Sequence, residues 1–168
     1  LQSQVYLRMG QGIAAQTEVE QARQAGIPEG DTRHIMAEAL VLQRRFTDAL
    51  KEADASAVPA RYAASGARVR GLAYMGLKQN DQAKAQFQQA EQMDPRDPLV
   101  KIDYGRALVV AGDRVNGEAA IDRALALSPT NVRALVLKGD IARANRGLAQ
   151  ALPFFDRAVQ ADPPNLEA

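Results

Sequence analysis

Residues of the same kind recur every 34 positions along this chain, and this period constrains the fold more than any other feature of the sequence. Small, aliphatic, aromatic and proline positions all keep the same step. The aligned positions are Gly71, Gly105 and Gly139; Pro95, Pro129 and Pro163; Ala15, Ala49, Ala83, Gly117 and Ala151; Ala90, Ala124 and Ala158; Phe87, Ile121 and Phe155; and Tyr6, Leu40, Tyr74, Leu108 and Ala142. Series that share one register predict an array of similar structural units.

The alternation of small and large residues within each unit predicts two helices packed against each other. The glycine series, which continues backwards through Ala37 and Ser3, lets a second helix approach the first closely. The series that begins at Ala15 lies on the second helix and faces the first, while larger residues such as Phe87 fill the remaining volume. Proline ends each second helix, because it disfavours the helical conformation before it and has no amide hydrogen to donate.

A 34-residue period with these residues in this order, closed by proline, resembles the tetratricopeptide repeat (TPR). The resemblance implies an all-α fold, a right-handed α-solenoid of antiparallel helix pairs, in a single domain over residues 1–168. We expect repeats at 1–29 (its beginning missing), 30–63, 64–97, 98–131 and 132–165. The second repeat departs from the pattern, since Arg61 stands where proline is expected and Pro59 comes two residues early.

Each repeat is predicted to contain a first and a second helix. First helices are expected over residues 1–10, 31–44, 62–77, 98–111 and 132–145, and second helices over 12–25, 47–57, 81–93, 115–127 and 148–161. Asn80 and Asp113 are predicted to cap second helices or to lie in the turns before them. Pro153 falls near the first hydrogen-bonded turn of the last helix, so we expect a mild kink and no break.

The inventory of reactive side chains gives no sign of an enzyme, and we predict no catalytic residue, no metal site and no cofactor. The chain has no cysteine and one histidine, His34, whereas a zinc site needs several converging ligands. Residues 10–15 fit the spacing G-x-G-x-x-A of dinucleotide-binding proteins, but that motif must follow a strand. Here it falls between two predicted helices, so we interpret it as a helix turn.

Charge and hydropathy exclude two classes of partner. The chain carries 21 basic and 20 acidic residues, and the longest basic run is Arg44–Arg45, so no field attracts nucleic acid. No run of 18 apolar residues occurs, so this segment is not expected to insert into a membrane. The remaining expectation is a protein or peptide partner.

The TPR resemblance also implies where such a partner would bind. In that family the first helices line a concave groove, and repeat positions 2, 5, 6, 9, 12 and 13 commonly contact ligands. Carried over to this chain, these positions give a mixed groove of arginines and acids around an apolar strip, suited to an extended or helical peptide. The predicted groove residues are His34, Glu38, Leu42, Arg68, Val69, Leu72, Met75, Leu99, Asp103, Arg106, Val110, Arg133, Val136, Asp140 and Arg143.

One TPR subtype, the chaperone-binding proteins that clamp a C-terminal acidic tail, is not favoured by these residues. The clamp positions of the window that starts in the third repeat are Arg68, Leu72, Asp103, Arg133 and Leu137. The two leucines cannot donate hydrogen bonds, and Asp103 would repel a carboxylate. We therefore expect no recognition of an acidic tail through this clamp.

Residues 37–50, and residues 8–12 followed by 22–28, resemble a narrower group: bacterial TPR lipoproteins associated with PEP-CTERM/exosortase and exopolysaccharide systems. The resemblance implies an envelope scaffold, periplasmic or anchored to the outer membrane. A cytoplasmic adaptor or regulator remains an alternative, as does the TPR region of a larger enzyme such as a glycosyltransferase. The chain starts inside a predicted helix without methionine, so we interpret it as a fragment of a longer protein.

The last hairpin is expected to leave an apolar face open, since TPR arrays usually end in an extra polar helix. Leu152, Phe155 and Val159 are predicted to be partly exposed or covered by a neighbouring copy. Self-association through this hairpin is therefore a further hypothesis.

Overall fold

The computed structural model describes residues 2–162, and within them the chain forms α-helices, one 3-10 helix and no strand. The helices are α1 (Gln2–Arg8), α2 (Gly12–Gln24), α3 (Glu29–Leu42), α4 (Phe46–Glu52), α5 (Ala63–Gly76), α6 (Asn80–Met93), α7 (Pro98–Val110), α8 (Arg114–Leu127), α9 (Val132–Arg146) and α10 (Leu148–Ala161), with the 3-10 helix at Ala60–Tyr62. All helices except α4 begin and end within about two residues of the predicted bounds. The all-α fold of antiparallel helix pairs is confirmed.

The chain divides into two compact units, residues 1–95 and 96–168. Unit 1 contains α1 to α6, and its helix pairs α1–α2, α3–α4 and α5–α6 pack on one another through contacts of α2 with α3 and of α4 with α5. Unit 2 contains the pairs α7–α8 and α9–α10, joined by contacts of α8 with α9. The repeat boundaries and the single domain predicted from the sequence remain predictions.

The glycine series brings the two helices of a pair together, as predicted. A β-carbon on Gly71 would lie 2.8 Å from the ring of Phe87, and one on Gly105 would lie 2.7 Å from the side chain of Ile121. The ring of Phe155 covers Gly139 in the same way. The partner series is buried too, with Ala15, Ala49, Ala83, Gly117 and Ala151 all in the interior. Large residues therefore pack against small ones across each helix pair.

Helix α4 ends at Glu52, so the predicted end at residue 57 is wrong. The Asp54 side chain accepts a hydrogen bond from the backbone N–H of Ser56, at 2.8 Å, which favours a turn over a helix. Nη1 of Arg70 donates a hydrogen bond to the carbonyl of Ala53, at 2.7 Å. Since Arg70 comes from the next repeat, the end of α4 depends on a contact that the local sequence does not contain.

The turn inside each of the first four pairs has one left-handed residue. These residues are Gly10, Arg44, Lys78 and Gly112, and they have φ of 71°, 61°, 60° and 92°. The residue after each donates its N–H to the carbonyl five positions earlier, which belongs to the Tyr6 series. This is the Schellman arrangement, which closes a helix when the residue past its end is left-handed.

Two of the predicted details of the helix ends hold and one does not. Asp113 caps α8 by accepting a hydrogen bond from the N–H of Asn116 at 3.3 Å, as expected. Asn80 is the first residue of α6, and the capping position is held by Gln79, whose side chain makes no capping bond. Helix α10 continues through Pro153 without a break. Pro163, which the sequence places after this helix, lies outside the described residues.

Candidate functional site

The first helices of neighbouring repeats are joined by ion pairs between residues 30 positions apart. Glu38 on α3 pairs with Arg68 on α5 in unit 1, and Asp103 on α7 pairs with Arg133 on α9 in unit 2. Equivalent residues are 34 positions apart, so a partner at 30 lies one helical turn earlier on the next first helix. An acid followed by arginine 30 positions later is a signal that the sequence analysis missed.

In unit 1 the predicted groove residues divide into buried and accessible ones. Arg68 is buried and engaged by Glu38, while Val69 and Leu72 are buried in the core. Val69 has no exposed surface and packs with Ala37 and Ala53, so it offers nothing to a partner. Leu42 is exposed, and Glu38 and Met75 are partly exposed.

His34 belongs to a stack of rings in unit 1. Its ring lies on the ring of Tyr62, with centroids 4.2 Å apart and planes inclined by 23°. The guanidinium of Arg61 lies over the ring of Tyr62, with its Cζ 5.0 Å from the ring centroid. The buried Nδ1 of His34 has no hydrogen-bond partner. Burial lowers the pKa of His34 to about 4, and the positive charge of Arg68 adds to this effect.

In unit 2 the buried carboxylate of Asp103 forms ion pairs with Arg133 and Arg106. Asp103 has 0% of its side chain exposed, and its Oδ1 accepts a hydrogen bond from Nη2 of Arg133 at 2.8 Å. Nη2 of Arg106 approaches the same oxygen at 3.6 Å. The side chains of Arg133 and Arg106 are themselves 50% and 46% exposed. The charge presented to solvent at this point is therefore that of the guanidinium groups.

This geometry corrects the prediction that Asp103 repels an acidic ligand. A fully buried carboxylate that already accepts from Arg133 presents no oxygen to an incoming anion. The two leucines of the predicted clamp, Leu72 and Leu137, still offer no hydrogen bond. Leu72 is buried, and Leu137 is partly buried against the core of unit 2.

Apolar and charged groups lie next to this arginine pair on α7 and α9. Val136 is 40% exposed and Val110 is 66% exposed. Asp140 and Arg143 pair with each other at 3.0 Å and are both open to solvent. Leu99 is only partly exposed, because it packs on the core of unit 2. We call the surface made by Arg106, Val110, Arg133, Val136, Asp140 and Arg143, which lies over the buried Asp103, the first-helix face of unit 2.

A second ionic cluster in unit 2 joins α8 to α9. Nζ of Lys138, a largely buried residue, lies 2.8 Å from Glu118 and 2.7 Å from Asp122. Arg146 also pairs with Glu118, at 2.7 Å. The hydrogen bond from Lys138 is the main cause that lowers the pKa of Glu118. These side chains form ion pairs with one another across the contact of α8 with α9, so the cluster links adjacent repeats.

The dinucleotide-like motif is a helix turn, as interpreted from the sequence. Gly10 is the left-handed residue between α1 and α2, and Gly12 lies against α3. A β-carbon on Gly12 would meet the carbonyl of Ala39 at 2.7 Å, so α3 covers the backbone that a phosphate would need. Over residues 2–162, no group of three or more His, Asp or Glu side chains is placed to hold a metal ion. In the same part of the chain, the helices are too short or too polar to cross a lipid bilayer.

The repeated helix pairs and their small–large contacts define a helical-repeat protein of the TPR class. A tetratricopeptide-repeat family profile matches residues 68–132 and again residues 103–165, and the chain belongs to this family. No curated protein matches the chain.

Solved TPR structures have the same fold. A thermophilic TPR protein of Thermus thermophilus is 22% identical with a TM-score of 0.81, over 98% of this chain and 94% of that one. MamA (residues 41 to the end) from Desulfovibrio magneticus RS-1 is 18% identical with a TM-score of 0.64, over 95% and 90%. The first TPR domain of Spaghetti (RPAP3), solved bound to the HSP90 peptide SRMEEVD, is 21% identical with a TM-score of 0.56, over 62% and 82%.

Proposed function

We propose that this chain is a non-catalytic scaffold that binds a partner protein or peptide on the first-helix face of unit 2. The observation that carries the proposal is the exposure of Val110 and Val136 beside half-exposed Arg106 and Arg133. Exposed aliphatic side chains next to arginines are typical of peptide-binding surfaces, where apolar anchors supply affinity and charges supply orientation. A TPR domain with a bound peptide among the similar structures supports this use of the fold.

The proposal extends to the other accessible groove residues in unit 1. Leu42, Met75 and Glu38 lie at the equivalent repeat positions and retain exposed surface, and His34 is partly exposed. Val69 and Leu72 are left out, because burial removes them from any ligand.

Substituting the apolar positions tests the proposal with a control in the same unit. Val136→Asp should abolish capture of the partner from a lysate of the native organism, because a charge replaces an apolar anchor. Val115 on α8 is 81% exposed but lies on a second helix, so Val115→Asp should capture the same partner as the wild type. Equal capture by all three proteins, at equal thermal stability, would refute the proposal.

We further propose that the scaffold works in the bacterial envelope, in surface-polymer or export assembly. The support is the resemblance of residues 37–50, 8–12 and 22–28 to exosortase-associated TPR lipoproteins. The alternatives are a cytoplasmic adaptor and the TPR region of a larger enzyme such as a glycosyltransferase. The sequence of the full-length gene decides among them: a lipid-attachment cysteine after a signal peptide supports the envelope, whereas a cytoplasmic start or an attached catalytic domain contradicts it.

Self-association through the last hairpin is a separate hypothesis. Leu148, Leu152 and Val159 are exposed along α10, and Phe155 is partly exposed. Sedimentation of the purified chain at increasing concentration tests it. A concentration-dependent oligomer that Leu152→Lys removes would support the hypothesis, and a strict monomer would refute it.

A further inference from the structure

We propose that the exposed apolar side of α10 binds the exposed apolar side of α1 in a second copy of this chain, so that copies associate head to tail. The inference rests on the proposed self-association of the last hairpin, and it names the surface that this hairpin meets. The α10 face is defined by the exposed side chains of Leu148, Leu152 and Val159. The α1 face is defined by those of Val5 in α1 and of Met9, directly after it.

The contact of α8 with α9 is the template for the proposed interface, because it joins the second helix of one pair to the first helix of the next. Arg114 at the start of α8 donates a hydrogen bond to Asn145 near the end of α9, at 3.3 Å. One turn further along α8, Glu118 lies 2.8 Å from Nζ of Lys138. The two helices therefore run antiparallel, and each position on α8 has a defined partner position on α9.

The α10 face corresponds to the surface of α8 that packs on α9. One period of 34 residues places Val159 at the position of Leu125. Leu125 packs on a core that includes residues of α9, whereas Val159 is 55% exposed. Leu148, at the position of Arg114, is exposed as well, and so is Leu152 one turn later. Helix α10 thus presents an apolar version of the surface that α8 presents to α9.

The α1 face corresponds in the same way to the surface of α9 that packs on α8. Four periods separate Val5 from Ile141, which belongs to the buried core shared by α8 and α9. Val5 itself is 53% exposed. Met9 holds the position of Asn145 and is also exposed. The α1 face therefore has the register of a surface on which a second helix packs, with two apolar side chains uncovered.

The chemistry of the two faces matches, as it does in the equivalent contacts inside each unit. In the contact of α2 with α3, Gln43 donates to the carbonyl of Gly12 at 3.2 Å. In the contact of α4 with α5, the ring of Phe46 lies against α5 at a glycine. Leu148 holds the position of Gly12 and Phe46, and Met9 holds that of Gln43. Since both are apolar, a second copy continues the pattern of these contacts, and this continuity identifies the copy as the occupant.

The arrangement predicts how association depends on concentration. Because the α10 face and the α1 face are different surfaces, each copy in a pair keeps one face free for a further copy. Pairing of two α10 faces would instead stop at a dimer and leave the α1 face uncovered. A contact of one helix with another is smaller than a standard protein interface, so we expect a dissociation constant on the order of 100 µM.

Sedimentation of the whole chain between about 10 µM and about 1 mM tests the arrangement with one variant for each face. The wild type should form species larger than a dimer as the concentration rises. Val5→Lys and Leu152→Lys should each stay monomeric, because each lacks one of the two faces. An equimolar mixture of the two variants should form a dimer and nothing larger, since one supplies an intact α10 face and the other an intact α1 face. Val115→Lys, exposed on α8 outside both faces, is the matched control and should associate as the wild type does.

Two results of this experiment would contradict the inference in different ways. A Val5→Lys variant that associates like the wild type would overturn the head-to-tail contact while leaving self-association through α10 in place. A strictly monomeric wild type at the highest concentration would overturn both. A monomer whose capture of a partner is lost in Val136→Asp would reject the head-to-tail contact and still support the proposed partner binding.

Disulfide formation between copies tests the register, because the chain contains no cysteine of its own. Met9→Cys and Leu148→Cys, mixed and oxidised gently, should give a mixed disulfide dimer that mass spectrometry identifies. Val115→Cys mixed with Met9→Cys is the control and should give at least tenfold less. Disulfide dimers of Leu148→Cys with itself in place of the mixed dimer would overturn the head-to-tail register, as would a mixed dimer no more abundant than the control.

Discussion

The ring of Phe87 occupies the space that a β-carbon on Gly71 would need, at 2.8 Å from where that atom would lie. The two residues belong to different helices of one pair, and their equivalents Gly105 and Ile121 repeat the relationship 34 positions later. The close approach of α5 and α6 therefore depends on the absence of a side chain at residue 71.

Gly71→Ala is expected to destabilise the protein by about 1–3 kcal/mol, because the added methyl group overpacks a full interior. The free energy of unfolding in urea measures this. In a Gly71→Ala/Phe87→Leu double variant the loss should be smaller than the sum of the two single losses, since the smaller side chain makes room. Strict additivity would mean that the two residues do not compete for the same space.

Lys78→Gly is expected to stabilise the protein by about 0.5–1 kcal/mol, although it removes a side chain. Lys78 has φ of 60°, where a β-carbon is strained, and glycine relieves more strain there than it costs in unfolded-chain entropy. The midpoint of urea unfolding should rise. Gly112→Ala is the matched control, since it places a side chain at the same turn position with φ of 92° and should lower stability.

His34 is expected to make the folded state less stable as the pH falls from about 6.5 to about 4. Burial lowers the pKa of His34 to about 4 in the folded state, so over this range the unfolded chain binds the proton more readily. Its stabilising effect is complete above pH 6.5 and is lost as the pH falls through the folded pKa. Because His34 is partly exposed, we expect a loss on the order of 1–2 kcal/mol.

His34→Gln isolates this effect from the contributions of the charged groups around it, among them Arg68 and Asp31. The difference in unfolding free energy between wild type and variant should change with pH over this range and stay constant above pH 7. A difference that does not change between pH 7 and pH 4 would show that His34 has the same pKa in the folded and unfolded states.

Lys138→Met is expected to destabilise the protein by about 1–2 kcal/mol, because Glu118 and Asp122 lose the cation between them while remaining partly exposed. Adding Glu118→Gln should recover part of the loss, since one of the two facing carboxylates is removed. Thermal unfolding of the single and double variants gives the comparison. A double variant less stable than the single one would contradict the role of Lys138 as the link between α8 and α9.

The period was sufficient to predict the helix pairs, because a recurring Gly71 or Ala15 reports a packing requirement that the sequence shows directly. It did not predict the left-handed turn at Arg44 and Lys78, since neither residue has the permissive chemistry that marks such turns. The early end of α4 was missed because Arg70, which donates a hydrogen bond to the carbonyl of Ala53, comes from another repeat.

The candidate site was predictable only as a set of positions. Transferring family positions gave residues on the first helices, but it could not distinguish buried Val69 from exposed Val136, because both are valines at similar repeat positions. The sequence likewise did not show that Asp103 is buried, so the prediction that it repels an acidic ligand was wrong. Its charge suggested repulsion, whereas its burial under two arginines makes the same point of the surface positive.

Site-specific photocrosslinking tests most directly whether the partner lies on the first-helix face of unit 2. A photoreactive side chain is placed at Val136 in one variant and at Val115 in another, since both residues are exposed but only Val136 lies on that face. We predict a crosslinked partner from residue 136 and none from residue 115. Crosslinking from residue 115 with none from residue 136 would contradict the account.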